Sequence, residues 1–267
     1  MTQSLCTYRL EGSVAFVGLN RPEKRNAINE PLIAALRDAV LRAQEEADVG
    51  VLHAHGPNFS AGLDLNEALA RATSAAPPRK RLRHTWHEVF DQIARGPIPW
   101  LSALHGAVVG GGLELATATH VRVCDTTAFF GLPEGQRGIF VGGGGTVRIQ
   151  RVVGYSVMAD LMLTGRLLDA AQAEREHIVR YVTPAGGALE KASELAQRVA
   201  GNTPDTNWKI VNVLSRANDL SHDDGLFMEY LTSSMQRPPE SGERLRAFLE
   251  GRAKPLAAPS RQGGDTT

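Results

Sequence analysis

The stretch SVAFVGLN, residues 13 to 20, alternates apolar and small residues as a strand does, then meets the turn cluster RPEKRNAIN. The apolar spacing then becomes helical. Leu32, Ile33, Leu36, Val40 and Ala43 share one face, behind an Asn29 cap and with Pro31 in the first turn, while Arg37, Asp38, Arg42 and Glu45 occupy the other face. VGVLHAHG (49 to 56) predicts a second strand closed by Gly56-Pro57, and NFSAGLDLNEAL passes from loop into a new helix. The Pro-rich, basic run ATSAAPPRKRLRH (72 to 84) reads as a solvated connection. An amphipathic helix from about Thr85 to Ala94 leads to a third strand, IPWLSALHG; HVRVCD (120 to 125) and a short AFFG strand follow.

Beyond Gly145 the pattern turns mostly helical, through GTVRIQRVVG, YSVMADLMLTG, DAAQAEREHIV and GALEKASELAQRVAG to two longer helices across residues 205 to 250. This predicts an α/β body over residues 1–200 and a helical region over 201–257. Residues 258–267 are small and polar, as a frayed tail is.

With 267 residues, 42% of them hydrophobic, the chain is long enough for a substantial core. Formal net charge is zero, which argues against broad attraction to nucleic acid or anionic lipid. Cys6 and Cys124 form neither a disulfide framework nor a zinc-site spacing, so a reducing compartment, the cytoplasm, is expected. The N-terminus MTQSLCTYRLEG lacks the pattern of a secretory leader, and no run reaches the ~18 apolar residues of a membrane span.

The chemistry concentrates in GAVVGGGLELA, residues 106 to 116, where three glycines stand just before Glu114. A helix starting there presents unpaired N–H groups and the positive end of its dipole, and glycines let a ligand atom come close. An anionic oxygen suits such a place. The spacing is neither that of a P-loop nor that of a dinucleotide fingerprint. Phosphate, an enolate or a tetrahedral oxyanion remain open on this reading, beside simple close packing of strand on helix. No Ser-His-Asp arrangement is legible. His53 and His55 read as strand positions rather than metal ligands, His105 reads as structural, and no metal site is expected.

Four segments, in order, resemble the enoyl-CoA hydratase/isomerase (crotonase) superfamily: LNRPEKRNAIN, FSAGLDLNE, LHGAVVGGGLELA and FFGLPEGQRGIFVGGGG. The match runs over residues 8 to 182, and more loosely through FLEGRAKP. The resemblance implies a crotonase-like α/β fold, a spiral of ββα units with a C-terminal helical trimerisation region. It implies that the N–H groups of Leu63 and Gly111 hold a thioester oxygen. Glu114 would activate water and Glu134, 20 residues on, would deliver the α-proton. Coenzyme A would be met by Lys24, Arg25, Ala27, Ser60 and Ala61, and by Phe248 and Lys254 from the C-terminal part.

Retention of both acids favours an enoyl-CoA hydratase that needs no separate cofactor, coenzyme A being part of its acyl-CoA substrate; the resemblance further implies a homotrimer or dimer of trimers. Isomerase action, or an aryl-enoyl-CoA hydratase or hydratase-lyase, is the alternative within enzymes. From another class comes an RNA-binding or scaffolding relative, encouraged only by PPRKRLRH. Two departures from the commonest family pattern stand out. Val141 and the glycine run after it bear on the acyl pocket, and His177 stands where relatives often end a helix with glycine.

Overall fold

The computed structural model describes residues 4–73, 85–235 and 239–252. The basic segment, Lys254 and the expected tail lie outside these. Two units are present, Met1–Asp219 and Leu220–Thr267. The division therefore falls later than the expected boundary at residue 200.

The strands are β1 (Cys6–Glu11), β2 (Val14–Leu19), β3 (Val49–Ala54), β4 (Trp100–Leu104), β5 (Ala107–Val109), β6 (Val121–Asp125), β7 (Phe129–Gly131), β8 (Leu167–Asp169) and β9 (Tyr181–Thr183). In the first unit the helices are α1 (Glu30–Glu46), α2 (Leu65–Ala72), α3 (Thr85–Arg95), α4 (Gly111–Ala116), α5 (Gly145–Thr164), α6 (Ala170–Arg175), α7 (Ala188–Ala200) and α8 (Pro204–Ala217). The larger sheet has the order β1-β2-β3-β4-β6-β9 and is parallel except for the β1–β2 hairpin. The smaller has the order β5-β7-β8, with β5 parallel to β7.

Strand alternation explains why the large sheet is covered on both faces. Ala15, Val17 and Leu19 join a core with α1 and α3 residues such as Leu36, Val40, Phe90 and Ile93. Val14 and Phe16 point the other way, to a second core with Ala192, Leu195 and Ala196 of α7. All five apolar α1 residues expected from the spacing are buried, and the Asn29 side chain caps the helix by accepting from Leu32 N–H. β1 was not expected, because its outer residues are exposed and leave no buried alternation to read.

α8 belongs with the first unit because Asn207, Val211 and Asn212 are buried there, with Asn212 donating to the Gly96 carbonyl. Where two helices were expected over 205 to 250, there are three: α8, then α9 (His222–Ser234) and α10 (Pro239–Leu249) in the second unit. His177 follows α6 with φ 64, the left-handed conformation that a glycine would take without penalty. Gly154 interrupts α5 with φ 76 and ψ 164, at the border between the two helical stretches read from the sequence.

Candidate active site

The site is set by the short sheet. In the β5–β7 register Val109 faces Gly131, so the residues after both strands, Gly110–Glu114 and Leu132–Glu134, leave from the same end. The Gly110 N–H donates to the Gly131 carbonyl at 2.9 Å and pins this departure. Ser60 extends the sheet on the other side of β5, taking a bond from Val109 N–H and giving one to the Ala107 carbonyl. That pairing brings Gly62 against Gly111. A Cβ on Gly62 would lie 2.5 Å from the Val109 oxygen and 2.9 Å from the Gly111 nitrogen, and its φ of +84° is itself a glycine conformation.

Two amides emerge from this close approach. Gly111 opens α4, where N–H groups have no intrahelical partner, and Leu63 follows the Gly62 turn. Among the described residues neither N–H donates to a backbone acceptor outside the regular ladders. The loop carrying Leu63 is braced on both sides. Arg21 donates to Asp64 at 2.6 Å and to the Ala27 carbonyl, while the buried Asn26 side chain donates to the carbonyls of His55 and Asn58. The Arg21 bond holds the Asp64 carboxyl below the usual carboxylate range.

Two open cavities meet here. One of about 590 Å³ has Lys24, Arg25 and Arg137 on its lining; the other, about 320 Å³, is lined by apolar residues including Ile33, Trp86 and Phe140. Leu63, Gly111, Glu134 and Ile139 line both, so the amides and one acid sit at the junction. Glu114 lines only the smaller. Trp86 packs directly on Gly111, where a Cβ would fall 2.4 Å from its ring.

The two acids, both buried, have different surroundings. Glu114 Oε1 accepts from the N–H groups of Gly143 at 2.7 Å and Gly145 at 2.8 Å, whereas Oε2 has only a long bond, 3.4 Å, from Gly142. One oxygen is clamped and the other left with lone pairs to use. The glycine run explains itself at this clamp, since a Cβ on Gly145 would lie 2.9 Å from both Cγ and Oε1 of Glu114. Glu134 has no such support: its Oε2 is buried with no hydrogen-bond partner, and its pKa is raised, first by burial and then by the Glu114 charge. Such a pair can divide base and acid roles.

The structure brings Glu114, Glu134, Leu63 and Gly111 together. Lys24, Arg25, Ala27 and Ala61 line the larger cavity. Ser60 does not: it is fully buried, with its hydroxyl donating to the Asn26 carbonyl and accepting from Gly62 N–H, so it shapes the turn. Phe248 lies on α10 in the second unit and is exposed. His53 and His55 stack edge to face at the end of β3, and His105 bonds the Gly56 carbonyl. Among the described residues no cluster of three His, Cys, Asp or Glu side chains could hold a metal. The Gly143 and Gly145 amides were missed in the sequence. Their only signal is the GGGG run, which by itself suggests a change in pocket shape.

Residues 9–256 match the family model described as enoyl-CoA hydratase/isomerase, and the chain belongs to that family. A relative from Arabidopsis thaliana, named probable enoyl-CoA hydratase 2, mitochondrial, is 34% identical over 93% of this chain and 83% of its own. A solved Rhodopseudomonas palustris protein, provisionally named an enoyl-CoA hydratase, is 42% identical, with a TM-score of 0.83 over 93% of this chain and 96% of that one. An enoyl-CoA hydratase structure from Thermoplasma volcanium is 28% identical with a TM-score of 0.84, over 92% and 98% of the two chains. The crotonase α/β fold expected from the sequence is thus the observed one.

Gly145→Ala is expected to push the Glu114 carboxylate off its clamp and lower enoyl-CoA turnover ~10²-fold, as small misplacements of reacting groups do. A crystal structure of the variant with Glu114 unmoved and turnover intact would count against the clamp. Glu134 supplies a pH test. Its folded-state pKa lies above the ordinary carboxyl value of 4.5, so the native state binds the proton more tightly and loses stability as pH rises from that value through the folded one. Glu134→Gln should therefore melt above wild type at pH 8, with the gap closing towards pH 4; a constant gap in thermal unfolding would refute the assignment.

Proposed function

We propose that the protein is an enoyl-CoA hydratase, adding water to a trans-2-enoyl-CoA to give a 3-hydroxyacyl-CoA. The observation that carries this reading is the junction of two cavities where two amides meet Glu134, with a dissimilar carboxyl, Glu114, on the wall of the smaller cavity. The thioester oxygen accepts from Leu63 and Gly111 N–H, which gain strength as negative charge develops there; losing one such donor raises a barrier by about 2.7–4 kcal/mol. Glu114 Oε2 takes a proton from water as the water oxygen bonds to the β-carbon. The electron pair of the double bond moves into the enolate. Collapse of that enolate takes the proton held on Glu134 to the α-carbon, and proton exchange between the acids and solvent restores the start.

Lys24 and Arg25 would meet the phosphate-bearing end of coenzyme A through charge-assisted bonds, with Ala27 and Ala61 contributing backbone contacts. The acyl group would enter the smaller cavity. Its Trp86 and Phe140 favour, as a second reading, an aryl-enoyl-CoA hydratase or hydratase-lyase. No metal or redox cofactor enters either scheme. The reading extends to a step in fatty acid metabolism and to a cytoplasmic enzyme, in keeping with Cys6 and Cys124 as buried free thiols whose pKa burial pushes up to about 12. No helix among the described residues is long and apolar enough to cross a membrane. Exposed Leu226, Phe227, Tyr230 and Leu231 on α9 offer an apolar surface for self-association, in keeping with a homotrimer or dimer of trimers.

Wild-type protein should hydrate crotonyl-CoA, followed by loss of enoyl absorbance, and Glu114→Gln and Glu134→Gln should each lower kcat ~10²–10⁴-fold. Full hydration by either variant would sink the two-acid scheme, and comparison with cinnamoyl-type CoA decides between the two acyl classes. Sedimentation should give the mass of three chains or six; a monomer would overturn the assembly.

A further inference from the structure

Four consecutive glycines, Gly142 to Gly145, are a poor foundation for a clamp, because glycine has more backbone conformations to lose than any other residue. Something outside the run must hold it. Arg148, in the first turns of α5, reaches back over it. Its Nη2 donates to the Gly143 carbonyl, and its Nη1 donates to Asp91 on α3 at 2.8 Å. A Cβ on Gly144 would lie 2.4 Å from Nη2, so Gly144 is needed both for its φ of +92° and to admit the guanidinium. Arg148 is mostly buried, with 15% of its side chain exposed, while Asp91 is 54% exposed. Its Nε is buried without an acceptor, which fits a guanidinium placed by the demands of the turn more than by its own donors.

We propose that Arg148 is a positioning residue for hydration: anchored on Asp91 and gripping the Gly143 carbonyl, it fixes the turn whose Gly143 and Gly145 amides orient Glu114. The proposal rests on the hydratase reading above. Arg148 lines neither of the two cavities that meet at the amides and Glu134; it lines a separate one of about 300 Å³ with His87, Arg95 and Arg151. It therefore acts through Glu114 and has no contact with substrate. A lysine carries the charge, but it lacks the planar fork that spans carbonyl and carboxylate at once.

The test is a double-mutant cycle on crotonyl-CoA hydration with Arg148→Ala and Glu114→Gln, reading kcat and KM separately. Arg148→Ala should lower kcat ~10–100-fold with KM within about twofold, and should lower the residual kcat of Glu114→Gln by less than about twofold. If Arg148→Ala does not fold, Arg148→Lys reads the same cycle, with a kcat loss of at least about threefold expected. Equal losses in both backgrounds, or a loss carried by KM, would make Arg148 a plain structural staple and overturn the inference. Wild type that hydrates no enoyl-CoA would overturn the proposed activity first, and this inference with it.

Discussion

Two N–H groups must stand side by side, unpaired, at one point next to a sheet, and much of the local structure serves that requirement. Regular structure satisfies its own donors, so the amides have to come from places where it stops. Gly111 comes from the start of α4, and Leu63 from the turn after Gly62. Their closeness depends on missing side chains, because a Cβ on Gly62 would strike the Val109 oxygen. The bracing by Arg21, Asn26 and Ser60 then keeps a loop of such freedom in one arrangement. Preorganised donors are worth most when they need not move during reaction.

The same economy of backbone sets the two acids apart. Glu114 is held by amides, which fix one oxygen and leave the other with only a long bond. Glu134 has a partnerless buried oxygen and a raised pKa, so it is suited to carry a proton. Identical side chains are thereby suited to different roles by their surroundings alone.

The parts of the molecule with a strong period were legible in the sequence. α1 could be read to its cap because five apolar residues repeat on one face and all are buried. That Leu63, Gly111, Glu114 and Glu134 lie together was legible only through family motifs, since amide donors leave no side-chain signature and a lone acid does not state its neighbours. The inward turn of the Ser60 side chain was not legible, because a small polar residue in a loop reads alike whether it faces ligand or interior. The clamp on Glu114 was illegible for a deeper reason: it joins residues some 30 apart through backbone N–H groups, and glycine repeats do not state which carboxylate they serve. β1 and the split of the last helices depended on pairing and breaks that local composition expresses weakly.

The route of the chain between β5 and β7 gives the site a further property. After Gly111 and Glu114 the backbone crosses into the large sheet to form β6, between β4 and β9, before returning to the small sheet as β7 and delivering Glu134. The two acids are thus the ends of a stitch drawn through the main body of the protein. Loosening the spacing of the acids means pulling on a strand buried between two neighbours, so the reactive groups inherit the stiffness of the whole core without being part of it.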